Sequence, residues 1–528
     1  MNVTVDRTPV HPSAAESAAA RLVWIRLNGT EVDDEAAALL ESGVSGVVLF
    51  TANITGVDQL RRLTAELKAR SRGSLRIAID HEGGHVARIG APLARFPSAM
   101  AIAAAGSGRL AHAVALAAGQ ELAALGIDVN LAPVLDVALD PRNPSVGVRS
   151  FGSSPDLVAR FGAATVRGYK EAGIAATAKH FPGHGRTPID SHFDLPVVSG
   201  GLAELRASDL PPFRAAIEAG VEIVMASHVA YEGLTDGLPS TLSAPVMRTL
   251  LRDELGFKGL TVTDAMSMRA LAEGHPIPAA CVRAVSAGAD IVMPLERQRE
   301  TVTALAEAIA DGALSAARVD DALRRQAELD GRLMAGAGAT GRTRSPLPNT
   351  EHLELARGVA RRSLTLIRGA ELLPLRASTS VIVIEFASRR PSPVEEGLSS
   401  APTLASSLRQ YLPRLREVIV DSSTDATVAA QAAVEAAGAA EFVILATRDA
   451  YLWPEERALA AQISVVGKPT MLISLRNPYD LAALPSTTGA AAAYADVPAT
   501  LDALADALTG RAGWPGSLPM DIERQLPA

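Results

Sequence analysis

The chain has 528 residues, a net charge of −8, and a composition that is 48% apolar and 20% charged. This length is too great for one ordinary hydrophobic core, so two domains are expected. No long basic run is present, which argues against nucleic-acid binding as the main function. No apolar stretch reaches the roughly 18 residues of a transmembrane helix, so no membrane span is expected.

Cysteine usage and the N-terminal residues bear on the cellular compartment. Cys281 is the only cysteine in the sequence, so an internal disulfide is impossible, which fits a reducing compartment. The first residues lack the basic region, apolar run and small-residue cleavage site of a secretory signal. We therefore expect a soluble, cytoplasmic protein.

Short apolar segments alternate with longer amphipathic segments through the first part of the chain. The predicted strands are Leu22–Ile25, Gly46–Phe50, Arg76–Ile79, Asp128–Leu131, Ala176–Ala178, Glu222–Ala226, Leu260–Thr263 and Asp290–Met293. The predicted helices between them include Gly108–Leu125, Pro155–Ala172, Leu202–Ala219 and Ala244–Leu255. These strand–helix units indicate an α/β fold of the (β/α)8 barrel type, with a doubly wound open sheet as the alternative.

Polar residues at the strand ends favour the barrel over the open sheet. Those at or just after the end of a predicted strand are Asp80, Asn130, Lys179, His180, His228 and Asp264. In a (β/α)8 barrel the active site is built at the face where the strands end. We therefore expect these side chains to meet at one site.

A second α/β block follows the barrel. After a terminal helix at Val319–Met334, a stretch rich in Gly and Pro predicts a linker at 336–352, between a barrel domain at 15–335 and a C-terminal domain at 353–528. The apolar runs of this block are Ser380–Phe386, Glu417–Val420, Glu441–Ala446, Thr470–Ser474 and Ala490–Tyr494. They indicate a smaller α/β sandwich. It has no GxGxxG motif after its first strand and no comparable cluster of histidines and carboxylates, so we expect no dinucleotide or other cofactor.

Asp264 ends an apolar strand in the segment GLTVTDAMSM. A carboxylate at this place is held rigidly at the mouth of a barrel, as a nucleophile in covalent catalysis requires. The alternative is that Asp264 caps the following helix, because aspartate is a favoured N-cap residue. From the residues alone the two interpretations are evenly matched.

The densest cluster of polar residues lies in KHFPGHGRTPIDSHFDLP, residues 179–196. Its prolines and glycines predict a loop. Because only Ser191 separates Asp190 from His192, the carboxylate can accept a hydrogen bond from one imidazole nitrogen and leave the other free for proton transfer. A metal site built around His180 and His184 is the alternative, but that spacing needs a helix, which Pro182 forbids. We therefore expect no metal.

Acidic and basic residues also follow the third and fourth strands. In IDHEGGHVARI, Asp80 and Glu82 come directly after a strand and Arg88 lies on the next turn. Arg149 lies in SVGVRSFG, in the long loop after the fourth strand. Such groups can hydrogen-bond the hydroxyls of a polar substrate. The alternative is a structural Asp–Arg pair.

Taken in order, the motifs IDHEGGHVARI, APVLDV, VRSFG, KHFPGHG, DSHFDLP and TDAM resemble glycoside hydrolase family 3. Within it they are similar to the β-N-acetylglucosaminidase branch, which trims muropeptides during cell-wall recycling, and KHFPGHG followed by DSH is the most specific feature. The resemblance covers about residues 15–335, and the C-terminal domain resembles the family's α/β sandwich in general pattern only.

The resemblance implies roles for particular residues. It makes Asp264 the catalytic nucleophile, His192 the general acid/base and Asp190 the dyad partner of His192. The residues that the resemblance implies for binding the N-acetylglucosamine unit are Asp80, Arg88, Arg149, Lys179 and His180. We add His228 because it also lies at the end of a predicted strand. Many family members outside this branch take their acid/base from the second domain. Because the dyad is complete within the barrel, we expect no such carboxylate beyond residue 352.

The implied activity is that of a retaining exo-β-N-acetylglucosaminidase, a β-N-acetylhexosaminidase that acts on muropeptides or chitooligosaccharides through a glycosyl-enzyme. A histidine does not repel an incoming phosphate as a carboxylate does, so a phosphorylase on the same scaffold is the nearest alternative. The remaining alternatives are, in order, a β-glucosidase and a non-catalytic sugar-binding protein. The chain departs from the common family pattern at His81 and His85, and the stretch LFTANI at 49–54 lacks the Arg that commonly follows Phe50. These departures concern the outer part of the substrate site.

Overall fold

A computed structural model of the chain describes residues 13–339, 346–387, 389, 392–396, 402–421, 426–484 and 486–522. Its first part contains eight parallel strands: β1 (Trp24–Arg26), β2 (Gly46–Leu49), β3 (Arg76–Ile79), β4 (Val129–Asn130), β5 (Ala175–Phe181), β6 (Ile223–Ala226), β7 (Leu260–Ala265) and β8 (Ile291–Met293). Each strand pairs with the next in chain order, and a parallel bridge between Val23 and Val292 joins the first to the last. The predicted (β/α)8 barrel is confirmed.

Helices surround this barrel. The described ones are Ala14–Arg21, Asp34–Ser42, Val57–Arg70, Ala99–Ala104, Gly108–Ala123, Pro155–Glu171, Leu202–Ser208, Leu210–Glu218, Pro245–Glu254, Arg269–Ala272, Ile277–Ala287, Gln298–Ala310 and Ala316–Ala339. The predicted helix at 202–219 is divided at Asp209. The division follows from Pro211 and Pro212, which lack the N–H groups that would continue the first helix.

The inside of the barrel is packed with apolar side chains. Trp24, Val48, Ala78 and Val262 belong to one buried cluster contributed by several strands. A Cβ atom added at Gly46 would come within 2.5 Å of the Trp24 indole ring, so this glycine makes room for the largest side chain of that cluster. The packing leaves the polar residues at the strand ends as the floor of the barrel mouth.

The C-terminal part forms a six-stranded sheet with helices on both faces. Its strands are β9 (Thr365–Arg368), β10 (Val381–Phe386), β11 (Arg416–Val420), β12 (Phe442–Thr447), β13 (Thr470–Ser474) and β14 (Gly489–Ala492), in the order β9-β14-β13-β12-β10-β11. The helices are Thr350–Ser363, Leu404–Leu408, Ala426–Gly438, Pro454–Ser464, Asp480–Ala483 and Pro498–Leu508. The predicted α/β sandwich is confirmed. The antiparallel edge strand β9 was not predicted, because four residues beside a helix carry too little periodic pattern.

The predicted linker at 336–352 is only partly described. The helix that begins at Ala316 continues to Ala339, and another helix begins at Thr350. Residues 340–345 lie outside the described residues. The domain boundaries at 335 and 353 therefore stay a prediction. Within the described ranges, no helix has both the length and the apolar character needed to cross a membrane.

The two domains meet beside the barrel mouth. Met100 and Val148, from loops and short helices of the barrel, share one buried apolar cluster with residues of the C-terminal sheet domain. The Ser98 hydroxyl donates a hydrogen bond to the carbonyl oxygen of Tyr494 at 2.6 Å. The chain after β10 thereby comes to lie at the edge of the barrel mouth.

Candidate active site

A cavity of about 530 Å³ opens at the carboxyl ends of the barrel strands. The predicted site residues on its wall are Asp80, Arg88, Arg149, Lys179, His180, His192 and Asp264. Asp190 and His228 do not line the cavity, since Asp190 lies behind His192 and His228 lies behind Asp264. Of the strand-end residues, Asp80, Lys179, His180 and Asp264 therefore meet at one site, whereas Asn130 and His228 do not line it.

Asp264 lies near the end of β7, and its carboxylate faces the cavity. The backbone N–H of Ala265 donates a hydrogen bond to Oδ1 of Asp264 at 2.7 Å. Burial raises the pKa of Asp264, but the nearby charges of His180 and His228 outweigh burial and lower that pKa below its usual value. The following helix begins at Arg269, several residues later, which rules out the alternative that Asp264 is its N-cap.

His228 is one of the two predicted site residues that do not line the cavity, and its ring faces the protein. Its Nε2 atom donates to the carbonyl oxygen of Ala265 at 3.1 Å, and its Nδ1 atom lies 2.9 Å from the Thr241 hydroxyl. Because both ring nitrogens are engaged by the protein, the imidazole has no free nitrogen for a substrate. Burial lowers the pKa of His228. Its contacts instead support the end of β7 next to Asp264.

Asp190 and His192 form a hydrogen-bonded pair in the loop after β5. Nδ1 of His192 donates to Oδ1 of Asp190 at 2.7 Å, and the His192 backbone N–H donates to the same oxygen at 2.9 Å. No described residue hydrogen-bonds to Nε2 of His192, whose side chain is 27% exposed and faces the cavity. Burial raises the pKa of Asp190, but the hydrogen bond and charge of His192 lower it to about 2.

The loop that carries this pair packs closely on the barrel. A Cβ atom added at Gly185 would lie 1.7 Å from the carbonyl oxygen of Val137, and the Gly185 carbonyl accepts hydrogen bonds from the N–H groups of Leu139 and Asp140. Glycine is therefore required at this close approach of two backbones. This contact fixes the loop five residues before Asp190.

Lys179, Asp80, Glu82 and Arg149 form a buried network of charges. Nζ of Lys179 lies 2.6 Å from Oδ1 of Asp80 and 2.7 Å from Oε1 of Glu82. Arg149 donates two hydrogen bonds of 2.8 Å to the Glu82 carboxylate. Glu82 does not line the cavity, so it holds Lys179 and Arg149 in place, while Asp80 stays 14% exposed at the wall. Alternating charges of this kind can hold sugar hydroxyls by charge-assisted hydrogen bonds.

Asp136 supports the histidines of the KHFPGHG segment and was not among the predicted site residues. Its Oδ2 atom accepts a hydrogen bond from Nδ1 of His180 at 2.7 Å, and its Oδ1 atom accepts one from the His184 backbone N–H at 2.7 Å. Nε2 of His184 lies 3.0 Å from the hydroxyl of Ser191, the residue between Asp190 and His192 in the chain. The signal for Asp136 is its place in APVLDV, after the end of β4.

The two buried histidines of the KHFPGHG segment are each engaged by a protein group. His180 and His184 are each oriented by a protein group, with their ring centroids 6.1 Å apart. Over the described part of the chain, no group of three or more histidine, cysteine or acidic side chains is placed to hold a metal ion.

A segment of the C-terminal domain, 392–396, completes the cavity wall. Pro393, Val394 and Glu396 line it. Arg88 donates a hydrogen bond from Nη1 to the carbonyl oxygen of Val394 at 2.8 Å, and its Nε atom lies 3.5 Å from Oε2 of Glu396. The backbone N–H of Thr51 donates to the same Glu396 oxygen at 2.7 Å. Sequence reasoning missed these residues, since a carboxylate in an irregular segment carries no local sign of a site.

Buried charges hold the 392–396 segment against both domains. Glu395 accepts a hydrogen bond from Nη1 of Arg476 at 2.8 Å, and Nε of Arg476 lies 3.3 Å from Asp496. On the barrel side, Nε2 of His85 lies 3.6 Å from Glu395. His85, one of the departures from the common family pattern, thus contacts the C-terminal domain at the edge of the site.

The arrangement combines the groups that a covalent hydrolytic mechanism needs. An ionised carboxylate, Asp264, shares a cavity with an imidazole, His192, whose second nitrogen is free. A buried carboxylate, Asp190, orients that imidazole, which is the logic of a triad. Asp80 and Lys179 supply acceptors and donors for several hydroxyl groups on the same wall.

Comparisons with known proteins identify the family of the chain. Residues 16–329 match the glycosyl hydrolase family 3 N-terminal domain. The chain is 32% identical to β-hexosaminidase A of Pseudoalteromonas piscicida, across 91% of this chain and 89% of that protein. It is 37% identical to a β-hexosaminidase of Neisseria meningitidis serogroup B, across 56% of this chain and 81% of that protein.

A solved structure covers nearly the whole molecule. The glycoside hydrolase family 3 β-N-acetylglucosaminidase from Paenibacillus sp. str. FPU-7 is 36% identical and superimposes with a TM-score of 0.91, across 97% of this chain and 99% of that one. The matched domain spans more than half of this chain, and a relative with sufficient identity spans nearly all of it. The chain therefore belongs to glycoside hydrolase family 3 and is a glycoside hydrolase.

Proposed function

We propose that this enzyme is a retaining exo-β-N-acetylglucosaminidase that releases terminal β-linked N-acetylglucosamine. The observation that carries the proposal is that Asp264 and the free Nε2 side of His192 face the same cavity, with Asp190 behind His192. The relatives named β-hexosaminidase and β-N-acetylglucosaminidase support the choice of sugar.

In the first step, an Asp264 carboxylate oxygen attacks C1 of the bound sugar. The bond between C1 and the leaving oxygen breaks, and the leaving oxygen takes a proton from Nε2 of the His192 imidazolium. The products are a free alcohol, a glycosyl ester on Asp264 and a neutral His192. The Asp190 carboxylate stabilises the imidazolium before the transfer and fixes the tautomer after it.

In the second step, water attacks C1 of the glycosyl ester. Neutral His192 takes a proton from that water at Nε2, the ester bond breaks, and Asp264 returns as a carboxylate. Two displacements at C1 retain the anomeric configuration. The scheme replaces the acid/base carboxylate of most glycosidases with a His–Asp pair.

In this proposal the charged residues of the cavity wall bind the sugar. Lys179 is held by Asp80 and Glu82, and Arg149 is held by Glu82, so these wall residues keep fixed positions for the hydroxyls of a sugar. His180, oriented by Asp136, adds a nitrogen to the same wall. In this scheme His228 positions Asp264 and does not contact the sugar.

The 392–396 segment supports an exo mode of action. Arg88, which lies 3.6 Å from Asp80, also binds Val394 of this segment, so the C-terminal domain closes the cavity on the side of Asp80. A sugar whose hydroxyls bind Asp80 would then meet the 392–396 segment on that side, as the terminal unit of a chain does in an exo-acting enzyme. We extend the proposal to muropeptides or chitooligosaccharides as substrates, in cytoplasmic peptidoglycan recycling.

A panel of chromogenic β-glycosides of N-acetylglucosamine, glucose and xylose, each with and without phosphate, tests the proposal. We expect turnover of the N-acetylglucosaminide, release of the β-anomer of the free sugar by proton NMR, and no sugar 1-phosphate. Formation of sugar 1-phosphate would establish the phosphorylase instead. Preference for the glucoside would establish a β-glucosidase, and saturable binding without turnover would establish a sugar-binding protein.

A further inference from the structure

A second cavity, of about 350 Å³, lies at the opposite end of the barrel. Strand β3 shows the relation between the two cavities, because its first residue, Arg76, lines the second cavity and Asp80, directly after its last residue, lines the first. The glycosidase activity makes no use of the second cavity. Its size is within the range of small-ligand sites.

The wall of this cavity carries an excess of positive charge. Arg21, Arg72 and Arg76 line it, and Asp330 is the acidic residue among them. Asp330 lies 2.7 Å from Nη2 of Arg76, so one of the three guanidinium groups is compensated. Among the described residues, Arg21 and Arg72 have no acidic partner within ion-pair distance.

A neighbouring cluster of arginines at the same end of the barrel is fully paired with an acidic residue, unlike the arginines of the second cavity. There the buried Asp290 pairs with Arg252, Arg318 and Arg325, so each guanidinium has an acidic partner. The second cavity has the opposite balance, with two arginines unpaired around a space that can hold an anion.

Buried donors without acceptors also line the second cavity. The Ser45 hydroxyl, Nε of Arg76 and Nε2 of Gln326 have no hydrogen-bond partner, and their residues are 3%, 2% and 1% exposed. Gln326 uses its Oε1 atom to accept from Nη1 of Arg76 at 3.3 Å, which directs its NH₂ group elsewhere. Buried unpaired donors cost stability, and most such groups in folded proteins have a partner. These unmatched donor dipoles add to the positive potential of this wall, which favours an anion in the cavity.

The charges around the second cavity also favour an anionic ligand. Burial lowers the pKa of Arg76, the carboxylate of Asp330 raises it, and the charge of Arg21 lowers it further. The like charges of Arg21 and Arg76 therefore oppose each other across the space. An anion between them would relieve this repulsion.

We propose that this cavity binds a phosphate group, as the free ion or as a small phosphomonoester. A phosphate presents acceptor oxygens in several directions and carries up to two negative charges. It therefore suits guanidinium groups together with a hydroxyl and an amide that approach from different elements. The cavity also leaves space for a small organic group beside the phosphate.

Isothermal titration calorimetry at constant ionic strength tests the site, with inorganic phosphate and glycerol 3-phosphate as probes. Glycerol 3-phosphate has no sugar ring, so binding at the glycosidase site is not expected. Tighter binding of the ester identifies a phosphomonoester site, and equal or tighter binding of the ion identifies a free-phosphate site. Either result supports the proposal when the variants respond as expected.

Two variants address the cavity itself. Arg72→Ala removes an unpaired charge, and Ser45→Ala removes an unpartnered hydroxyl while keeping the backbone carbonyl that Arg76 contacts. We expect each to weaken binding by about tenfold or more without loss of folding. Arg109→Ala, at an exposed arginine outside the cavity, is the matched control and should bind as the parent does. Absence of heat from both probes, or unchanged affinity in both cavity variants, would overturn the proposal.

Discussion

Nδ1 of His192 lies 2.7 Å from Oδ1 of Asp190, and the same oxygen also accepts the His192 backbone N–H. One carboxylate oxygen thus fixes both the ring and the chain that carries it. The imidazole can turn only one nitrogen, Nε2, towards the cavity. This relation makes a role for His192 in proton transfer testable separately from a role in binding.

For His192→Ala we expect a loss of rate that depends on the leaving group. General acid/base catalysis is typically worth about 10²–10⁴-fold, and it matters most when a poor leaving group needs a proton. The variant should therefore lose far more rate on a GlcNAc disaccharide than on a nitrophenyl glycoside. Azide, which needs no deprotonation, should accelerate breakdown of the glycosyl-enzyme and give a β-glycosyl azide, detectable by mass spectrometry. Equal losses on both substrates without azide rescue would make His192 a binding residue.

For Asp264→Asn we expect turnover to disappear while the fold is kept. The amide cannot form the ester intermediate, but its oxygen can still accept the Ala265 N–H bond. Kinetics on the nitrophenyl substrate, together with the thermal unfolding midpoint, measure the two effects separately. Near-parental activity in a folded variant would contradict the assignment of Asp264.

Glu396→Gln tests whether the C-terminal domain supplies an acid/base. Glu396 is already bound by Thr51 and faces Arg88, which places it on the wall next to Asp80. We expect a raised KM for the N-acetylglucosaminide, an unchanged leaving-group dependence and no azide rescue. Glu455→Gln is the control, since this exposed glutamate of the same domain pairs with Arg389 away from the cavity. If Glu396→Gln reproduced the His192→Ala pattern, the dyad proposal would be wrong.

Asp190→Asn tests how the ionisation of this carboxylate contributes to the free energy of unfolding as the pH changes. The folded protein holds the pKa of Asp190 at about 2, below its ordinary value of 3.8. The ionised form therefore adds about 2 kcal/mol to the free energy of unfolding at neutral pH, and this is lost as the pH falls from about 4 towards 2. Urea unfolding of parent and variant should show a difference that narrows over that range. A difference independent of pH would remove this role from Asp190.

Gly185→Ala tests the support of the dyad loop. The added Cβ atom would meet the Val137 carbonyl oxygen at 1.7 Å, and neither backbone can yield cheaply. We expect a loss of kcat that exceeds any loss of thermal stability, because the loop and His192 move while the barrel remains. Gly201→Ala, where an added Cβ atom meets nothing within 4 Å, is the control and should leave kcat unchanged. Parental kcat in Gly185→Ala would show that His192 does not depend on this contact.

Much of the fold and of the site can be predicted from local sequence. Each barrel strand is a short apolar run bounded by turn residues, so the eight strands and their helices follow from periodicity. Asp264 at a strand end, and Asp190 two residues before His192, are relations within one segment. The dyad contact depends on a separation of two residues, which the sequence states directly.

Other features depend on contacts between distant parts of the chain. Arg88 and Val394 are separated by 306 residues, and no local pattern predicts that they form a hydrogen bond. For the same reason, the sequence does not predict that Glu396 lies at the cavity wall. Nor does it predict that both ring nitrogens of His228 bind protein groups, because both facts depend on tertiary packing. Backbone periodicity determines which residues form strands, whereas the identity of the groups that meet across domains is set by how the two cores pack against each other.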